Sequence, residues 1–360
     1  MVKMKIIYFA PIAYDELKQR SQYIAEYLAN EHQVIYVEPT LRWISHLKNK
    51  QLDYSKKDEH ITDTLSVFRC NGLLALPFHW NLFDICGLNG LYEAFQLRLI
   101  VRNADVVIVG FEGWYQVVRW LDISCLVYDK MDDNSLLVKN SLDQKYLLKA
   151  EKKLLKKVDK IIVTAQAFFD RYQSLGKPVT LIPNGVELPD LIITEESHEK
   201  KIYGYVGMIS AWIDMQIIEQ IADEPQTEVW LVGPCNIAVS KKKNIKYLGR
   251  IPKSEVAKYI NQFDVCLYPF KMDQLVDTVN PVKIYEYLAM NKPVIAIDSI
   301  ETQKFGELLY RYSTREEVRL LCQQRLEKPF ESDVERVEFI RNNSWEERGI
   351  RVQHVVEQKI

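Results

Sequence analysis

Lys283 and Glu286 stand three residues apart in the stretch "NPVKIYEYLAMNKPVIA", Asn280 to Ala296. Residues three apart are neighbours on the surface of a helix. Asn280 suits the cap and Pro281 the first helical position, so the stretch reads as a helix that opens at Asn-Pro, closes at Asn-Lys-Pro and runs into an apolar strand. At ~100° per residue Ile284, Tyr285, Leu288 and Ala289 form one apolar stripe, with Lys283, Glu286 and Met290 on the other side. A lysine in the first turn works against the helix dipole, whose amino end already carries partial positive charge. One reading is a surface ion pair, which contributes only about 0.2–0.5 kcal/mol. In the other, the lysine and the amides face a diphosphate while the glutamate's two acceptor oxygens take the vicinal hydroxyls of a ribose, as a nucleotide sugar would require. Spacing leaves both open.

A second group of candidates lies in "CLVYDKMDD", where Asp129, Asp132 and Asp133 cluster beyond the carboxyl edge of an apolar strand. Carboxylates held close together repel, so some of them need a raised pKa or a cationic or hydroxylic partner. Asp129 or Asp132 could accept a proton from an acceptor hydroxyl. The plainer reading is a helix start capped by Asp133 or Asn134. "VGFEGWYQ" ends another strand with Glu112 and Gly113. None of the six histidines (His32, His46, His60, His79, His198 and His354) falls in these segments, so a carboxylate base is expected ahead of a histidine, and no metal site is assigned. Six scattered cysteines without a C-x-x-C pair read as reduced thiols of a cytosolic protein.

Both groups need strands and helices to hold them. "KIIYFA", "DELKQRSQYIAEYLANE" and "QVIYVEP" make a β-α-β unit, and apolar runs recur at "DVVIVGF", "SCLVYD" and "DKIIVTA" between helical patterns. That rhythm predicts a parallel sheet wrapped by helices. No G-x-G-x-x-G follows the first strand, which argues against a nicotinamide or flavin domain. The pattern breaks near residues 185–200 and a second α/β series begins at "KIYGYVG". A length of 360 residues suits two domains. The closing "SWEERGIRVQHVVEQKI" is a helix long enough to pack back across a domain boundary.

The net charge of -2 argues against a dedicated nucleic-acid binder. No apolar run approaches the ~20 residues that span a bilayer, and no signal peptide is visible. Lys145, Lys149, Lys152, Lys153, Lys156, Lys157 and Lys160 fall within about 140° of one helical face, opposite Leu147, Leu148, Leu154, Leu155 and Val158. Such a stripe suits a solvated face or an anionic membrane surface. The apolar "NGLLALPFHWNLFDICGL" suits a core loop or a lip for a lipid acceptor.

"LIPNGVE", "YGYVGMISAWID", "YLGRIPKSEVAKYINQFDVCLYPF" and "NPVKIYEYLAMNKPVIA", in this order and spacing, resemble the donor half of GT-B glycosyltransferases. The similarity is greatest to family-four-like (group 1) bacterial enzymes that build capsule, teichuronic acid or O-antigen polysaccharides. The resemblance covers residues 180–300 well and the first half in layout only. It implies an α/β fold of GT-B type, two Rossmann-like domains facing a cleft. The expected domains are 1–187 on the acceptor side, 188–340 for the donor, and 341–360 as a helix crossing back.

By the same resemblance Glu286 binds the donor ribose, Val282 and Lys283 meet the phosphates behind Asn280, and Gly207 lies where the first loop approaches the diphosphate. The main chain of Arg250 and Ile251 holds the base, and Asn184 and Gly185 form the hinge. Two positions depart from the pattern. An expected Arg and Lys after the "VG" loop are replaced by Trp212 and Asp214, so the phosphate charge falls to Lys283, Arg250, Lys271 or amides. A glutamate expected eight residues before Glu286 is Thr278, with Asp273 and Asp277 the nearest carboxylates. The resemblance thus implies a metal-independent, retaining transfer of a sugar, UDP-linked, to a growing surface glycan or lipid-linked acceptor at the cytoplasmic face of the membrane, with no cofactor besides the donor. A catalytically silent subunit that stabilises a partner transferase is the alternative, and a nucleotide-sugar epimerase a third.

Overall fold

Apolar runs too short and too β-branched for helices become the strands of two sheets. The computed structural model describes residues 3–42, 58–72, 87–138, 140–188, 193 and 198–358. The chain divides into two compact units, Met1–Pro183 with Arg348–Ile360, and Asn184–Glu347. Most of the apolar segment 71–88 and of the stretch 189–197 lies outside the described residues.

In the first unit β1 (Lys5–Phe9), β2 (Gln33–Arg42), β3 (Glu59–His60), β4 (Leu65–Gly72), β5 (Val106–Val109), β6 (Leu126–Lys130), β7 (Lys160–Val163) and β8 (Val179–Leu181) pair in the order β3-β4-β2-β1-β5-β6-β7-β8. All pairs are parallel except β3 with β4. Alternate residues of each strand feed two cores. Ile7, Phe9, Val107 and Tyr128 meet Leu97, Val117, Leu154 and Phe168 on one face. Ile6, Tyr8, Ile108 and Val127 meet Ile24, Leu28, Val352 and Val355 on the other. With both faces covered, the strands have no polar alternation to show, which is why they read as solid apolar runs.

The helix expected from Asp15 onward begins only at Arg20 and ends at Leu28, its cap position held by Gln19. The basic helix is Ser141–Lys157. Val158 leaves the helical conformation with ψ of 150°, so Lys160 is not on the lysine stripe. It is a buried residue of β7, and its Nζ donates to the carbonyls of Val355 (2.8 Å) and Gln358. Leu148, expected on the apolar side, is 48% exposed. Among the described residues no helix is long and apolar enough to cross a membrane.

The second unit holds β9 (Lys201–Val206), β10 (Thr227–Val232), β11 (Ile245–Gly249), β12 (Val265–Tyr268), β13 (Val294–Ile297) and β14 (Tyr310–Tyr312) in the order β11-β10-β9-β12-β13-β14, every pair parallel. β14 has no counterpart in the sequence reading. The chain winds outward from β9 through β10 to β11, then returns to place β12 on the other side of β9. Such a reversal opens a crevice at the carboxyl ends of β9 and β12, where open α/β sheets take their ligands.

Candidate functional site

At that edge the three strands β9, β10 and β11 run into Gly207, Gly233 and Gly249, all with positive φ. The Gly207 amide donates to the Val232 carbonyl (2.9 Å) and the Gly233 amide to that of Gly249 (2.7 Å). A Cβ on Gly233 would lie 2.0 Å from the Gly207 carbonyl oxygen, so no side chain fits between the two loops. The result is a ledge of bare main chain at the switch point, buried at Gly233, half-buried at Gly207 and exposed at Gly249.

The loop after Gly207 is tied on both sides. Ile209 donates to the Pro234 carbonyl (2.8 Å), Asp214 to that of Pro269 (2.8 Å), and the Lys271 amide to that of Trp212 (2.8 Å). The half-buried Asp214 caps the helix Met215–Asp223, its carboxylate accepting from the Gln216 amide at 2.9 Å, a local role that the start of a helix favours without any ligand. Arg250 is exposed and Ile251 half-buried just beyond β11. The exposed Lys271 donates from Nζ to the Ala211 carbonyl at 2.7 Å.

The helix that follows β12 spans Val282–Ala289, with Pro281 in the cap position. Asn280 is therefore not the cap. It is 3% exposed, and its side chain accepts from the Asn184 amide (2.8 Å) and donates to Glu301 (2.9 Å). The Val282 amide, expected to be open to phosphate, donates to the Asn280 carbonyl at 3.0 Å. Ile284, Tyr285, Leu288 and Ala289 are buried as the stripe predicts, but Met290, at the carboxyl cap, is buried with them. Lys283 and Glu286 face outward and pair at 3.0 Å, with 32% and 22% of their side chains exposed. Thr278 is buried and its hydroxyl donates to the Leu275 carbonyl of its own turn (2.8 Å), which removes it from the site. Asp273 is spent on the Leu275 and Val276 amides (3.0 and 3.2 Å). Asp277 differs: one of its oxygens is buried with no hydrogen-bond partner among the described residues.

In the first unit the acidic cluster beyond β6 divides into three environments. Asp129 is 1% exposed and accepts from Arg20 Nε (3.1 and 3.0 Å) and Nη2 (3.0 Å) and from the Tyr8 hydroxyl (2.7 Å). A buried carboxylate so fully engaged is a structural ion-pair member, which corrects its assignment as a catalytic candidate. Asp133 precedes the short helix Asn134–Leu137 but does not cap it through its side chain. It accepts from Ser135 (2.6 Å) and Arg171 (3.2 Å); burial alone would raise its pKa, but the Ser135 hydroxyl and the Lys130 charge hold it below the ordinary value. Asp132 is half-buried, and burial raises its pKa against the opposing fields of Lys130 and Arg20. Of the three it alone has no side-chain hydrogen bond or ion pair among the described residues.

Glu112 is also not on an open surface. It is 1% exposed and accepts from Asn134 at 2.8 Å, in a network where Lys130 Nζ lies 2.5 Å from Glu151 and 3.9 Å from Glu112. Arg20, Lys130 and Glu151 escaped the sequence reading. Arg20 did leave a signal: it falls four and eight residues before Ile24 and Leu28, on the buried stripe of its own helix.

Residues 201–313 match the family model described as "Glycosyl transferases group 1". With its two units built on parallel strands the chain has the GT-B fold, and within the second unit residues 201–313 are similar to the group 1 glycosyltransferases. It is 26% identical over 222 residues to TuaH of Bacillus subtilis (strain 168), whose name assigns it to teichuronic acid biosynthesis as a glycosyltransferase. That match covers 56% of this chain and 55% of the relative, so the chain spans about half the length of the curated protein it resembles. A sucrose-phosphate synthase from Thermosynechococcus elongatus superposes with a TM-score of 0.70 at 16% identity, covering 98% of each chain. The Anabaena protein HepE, solved in complex with UDP and glucose, gives 0.64 at 12% identity over 99% of this chain and 100% of that one.

Proposed function

We propose that the protein transfers a glycosyl group, with retention, from a UDP-sugar to a hydroxyl of a growing cell-surface polysaccharide or lipid-linked glycan. The observation that carries this reading is the pairing of an outward Lys283–Glu286 with the bare Gly207–Gly233 ledge within one group 1 domain. On binding, the donor parts the ion pair: Glu286 takes both ribose hydroxyls, and Lys283 turns to the diphosphate. Arg250 and Lys271 share the phosphate charge in place of the cations missing after Gly207, so the reaction needs no metal ion. The main chain at Arg250 and Ile251 receives the base. Asp277 offers its unpartnered oxygen to the sugar. Charge that develops on the departing diphosphate is met by groups already fixed in place, which lowers the barrier more than the same charges would in water. In the first unit Asp132 accepts the proton of the attacking hydroxyl. The name of TuaH, which assigns it to teichuronic acid biosynthesis, supports a polysaccharide as the destination; the transfer takes place at the cytoplasmic side of the membrane.

Incubating the purified chain with a panel of nucleotide sugars, with and without EDTA, and reading thermal shift and nucleotide release tests this. One UDP-sugar should stabilise the protein and turn over equally in EDTA. Glu286→Ala and Lys283→Ala should each weaken UDP binding about tenfold or more, the scale of a hydrogen bond to a charged group. If no donor stabilises the chain, the transferase reading fails and a silent partner subunit replaces it; the burial of Thr278 and the capping role of Asp214 are what keep that alternative in view.

A further inference from the structure

The helix Leu88–Arg102 of the first unit is apolar on two faces. Its inner face buries Ala94, Leu97 and Val101 together with Asn89 and Glu93, while Leu88, Leu91, Phe95 and Leu99 turn outward, 64%, 44%, 60% and 68% exposed. At ~100° per residue these four lie within an arc of about 80°, and the exposed Arg98 and Arg102 fall on the same side. Arg98 lies over the Phe95 ring at 4.2 Å. Single exposed leucines are ordinary, but an aligned row of large apolar side chains marks a surface made to be covered.

Its surroundings indicate by what. Gly90 lets the helix approach the Gln116 main chain so closely that a Cβ would meet that carbonyl at 2.4 Å. Gln116 in turn accepts from the Tyr146 hydroxyl on the basic helix (3.2 Å), and Lys157 reaches the Leu121 carbonyl at 3.3 Å. The helix Leu88–Arg102, the short helix Tyr115–Val118 and the basic helix thus form one layer on one face of the sheet. On the outer side of Ser141–Lys157 six lysines are exposed, while its two acids, Asp143 and Glu151, are buried. That outer face therefore carries positive charge with no exposed acid, next to an apolar ridge edged by arginines. A protein partner would be expected to supply carboxylates at defined points. An unbroken cationic field beside a greasy ridge instead complements a surface that is uniformly anionic above and hydrocarbon below.

We propose that this layer docks the protein on an anionic lipid bilayer, the Leu88–Leu99 ridge entering the headgroup boundary while the lysine face lies on the phosphates. The proposal does not rest on the transfer reaction.

Cosedimentation of the full chain with phosphatidylcholine vesicles, pure or mixed half and half with phosphatidylglycerol, tests it. Binding should require the anionic lipid and weaken with salt. The triple variant Lys149→Gln/Lys152→Gln/Lys156→Gln should lower the partition coefficient roughly a hundredfold, about fivefold per charge. Phe95→Ser/Leu99→Ser should lower it at least tenfold at high salt, with an unchanged melting temperature. The proposal is overturned if mixed vesicles fail to bind the chain, or if neutral ones bind equally. A fall of several degrees in the melting temperature of Phe95→Ser/Leu99→Ser would overturn it too, because the chain itself would then cover the ridge. So would a dimer in sedimentation velocity that this variant abolishes, since a second copy would be the occupant.

Discussion

Arg20 and Asp129 show how far a side chain's role depends on partners distant in sequence. The pair is 3% and 1% exposed, and Arg20 Nη1 also donates to the Ile182 and Pro183 carbonyls at 3.0 Å each. Removing the guanidinium leaves a buried carboxylate uncompensated, so Arg20→Ala should cost about 3–5 kcal/mol in urea denaturation of the first unit. A loss below ~1 kcal/mol would mean that water or another cation replaces it. Asp132 makes a different prediction. Its raised pKa leaves more of it protonated at a given pH, and a base must be ionised. The rate should therefore rise with pH through a limb lying above the ~3.9 of an ordinary aspartate, and Asp132→Asn should lose both the limb and most of the turnover. A pH-rate profile unchanged in the variant would exclude the role. Lys283 and Glu286 were legible in sequence because residues three apart are neighbours on any helix. Asn280, Thr278 and Asp214 were not, because Asn184, the Leu275 carbonyl and the Gln216 amide decide where those side chains point.

Among elements, the buried strands were readable as apolar runs, whereas β14 (Tyr310–Tyr312) is three residues with one of them exposed and offers no such run. The lysine stripe was read one lysine too far: the spacing of Lys160 continued the arc, but the helix had already ended at Lys157. Periodicity reports a face only while the helix lasts. The glycine ledge had no periodic signal either, since it arises from three loops of different strands meeting in space. Gly233→Ala places a methyl group 2.0 Å from the Gly207 oxygen and asks a residue with a Cβ to hold φ of 138°. The two loops must then separate, so UDP binding by calorimetry should fall below detection while circular dichroism keeps the parallel-sheet signature. Wild-type affinity in this variant would show that the ledge is not where phosphate rests.

For the molecule as a whole, two α/β units were foreseeable from a strand-helix rhythm that stops and restarts. The closing helix was legible as one long enough to pack back across a domain boundary, and the first unit takes in Arg348–Ile360 from the far end of the chain. Val352, Val355 and Val356 are at most 7% exposed within its core, Lys160 is satisfied by carbonyls of this segment, and Gly349 lies against the Tyr27 ring. Each buried valine contributes roughly 1.5–3 kcal/mol, a large share of a typical domain's 5–15 kcal/mol. Deleting residues 348–360 should therefore abolish or sharply lower the calorimetric transition of the first unit and leave that of Asn184–Glu347 in place. Two unaltered transitions would contradict this account of the core.

The same segment sets a timetable. Domains commonly fold in the order in which they are made. Here every residue of Asn184–Glu347 is synthesised before the helix that seals the first unit exists. The half of the protein that is begun first is finished last, and until then the newborn chain carries an open apolar face on its leading sheet, a natural point of attachment for chaperones.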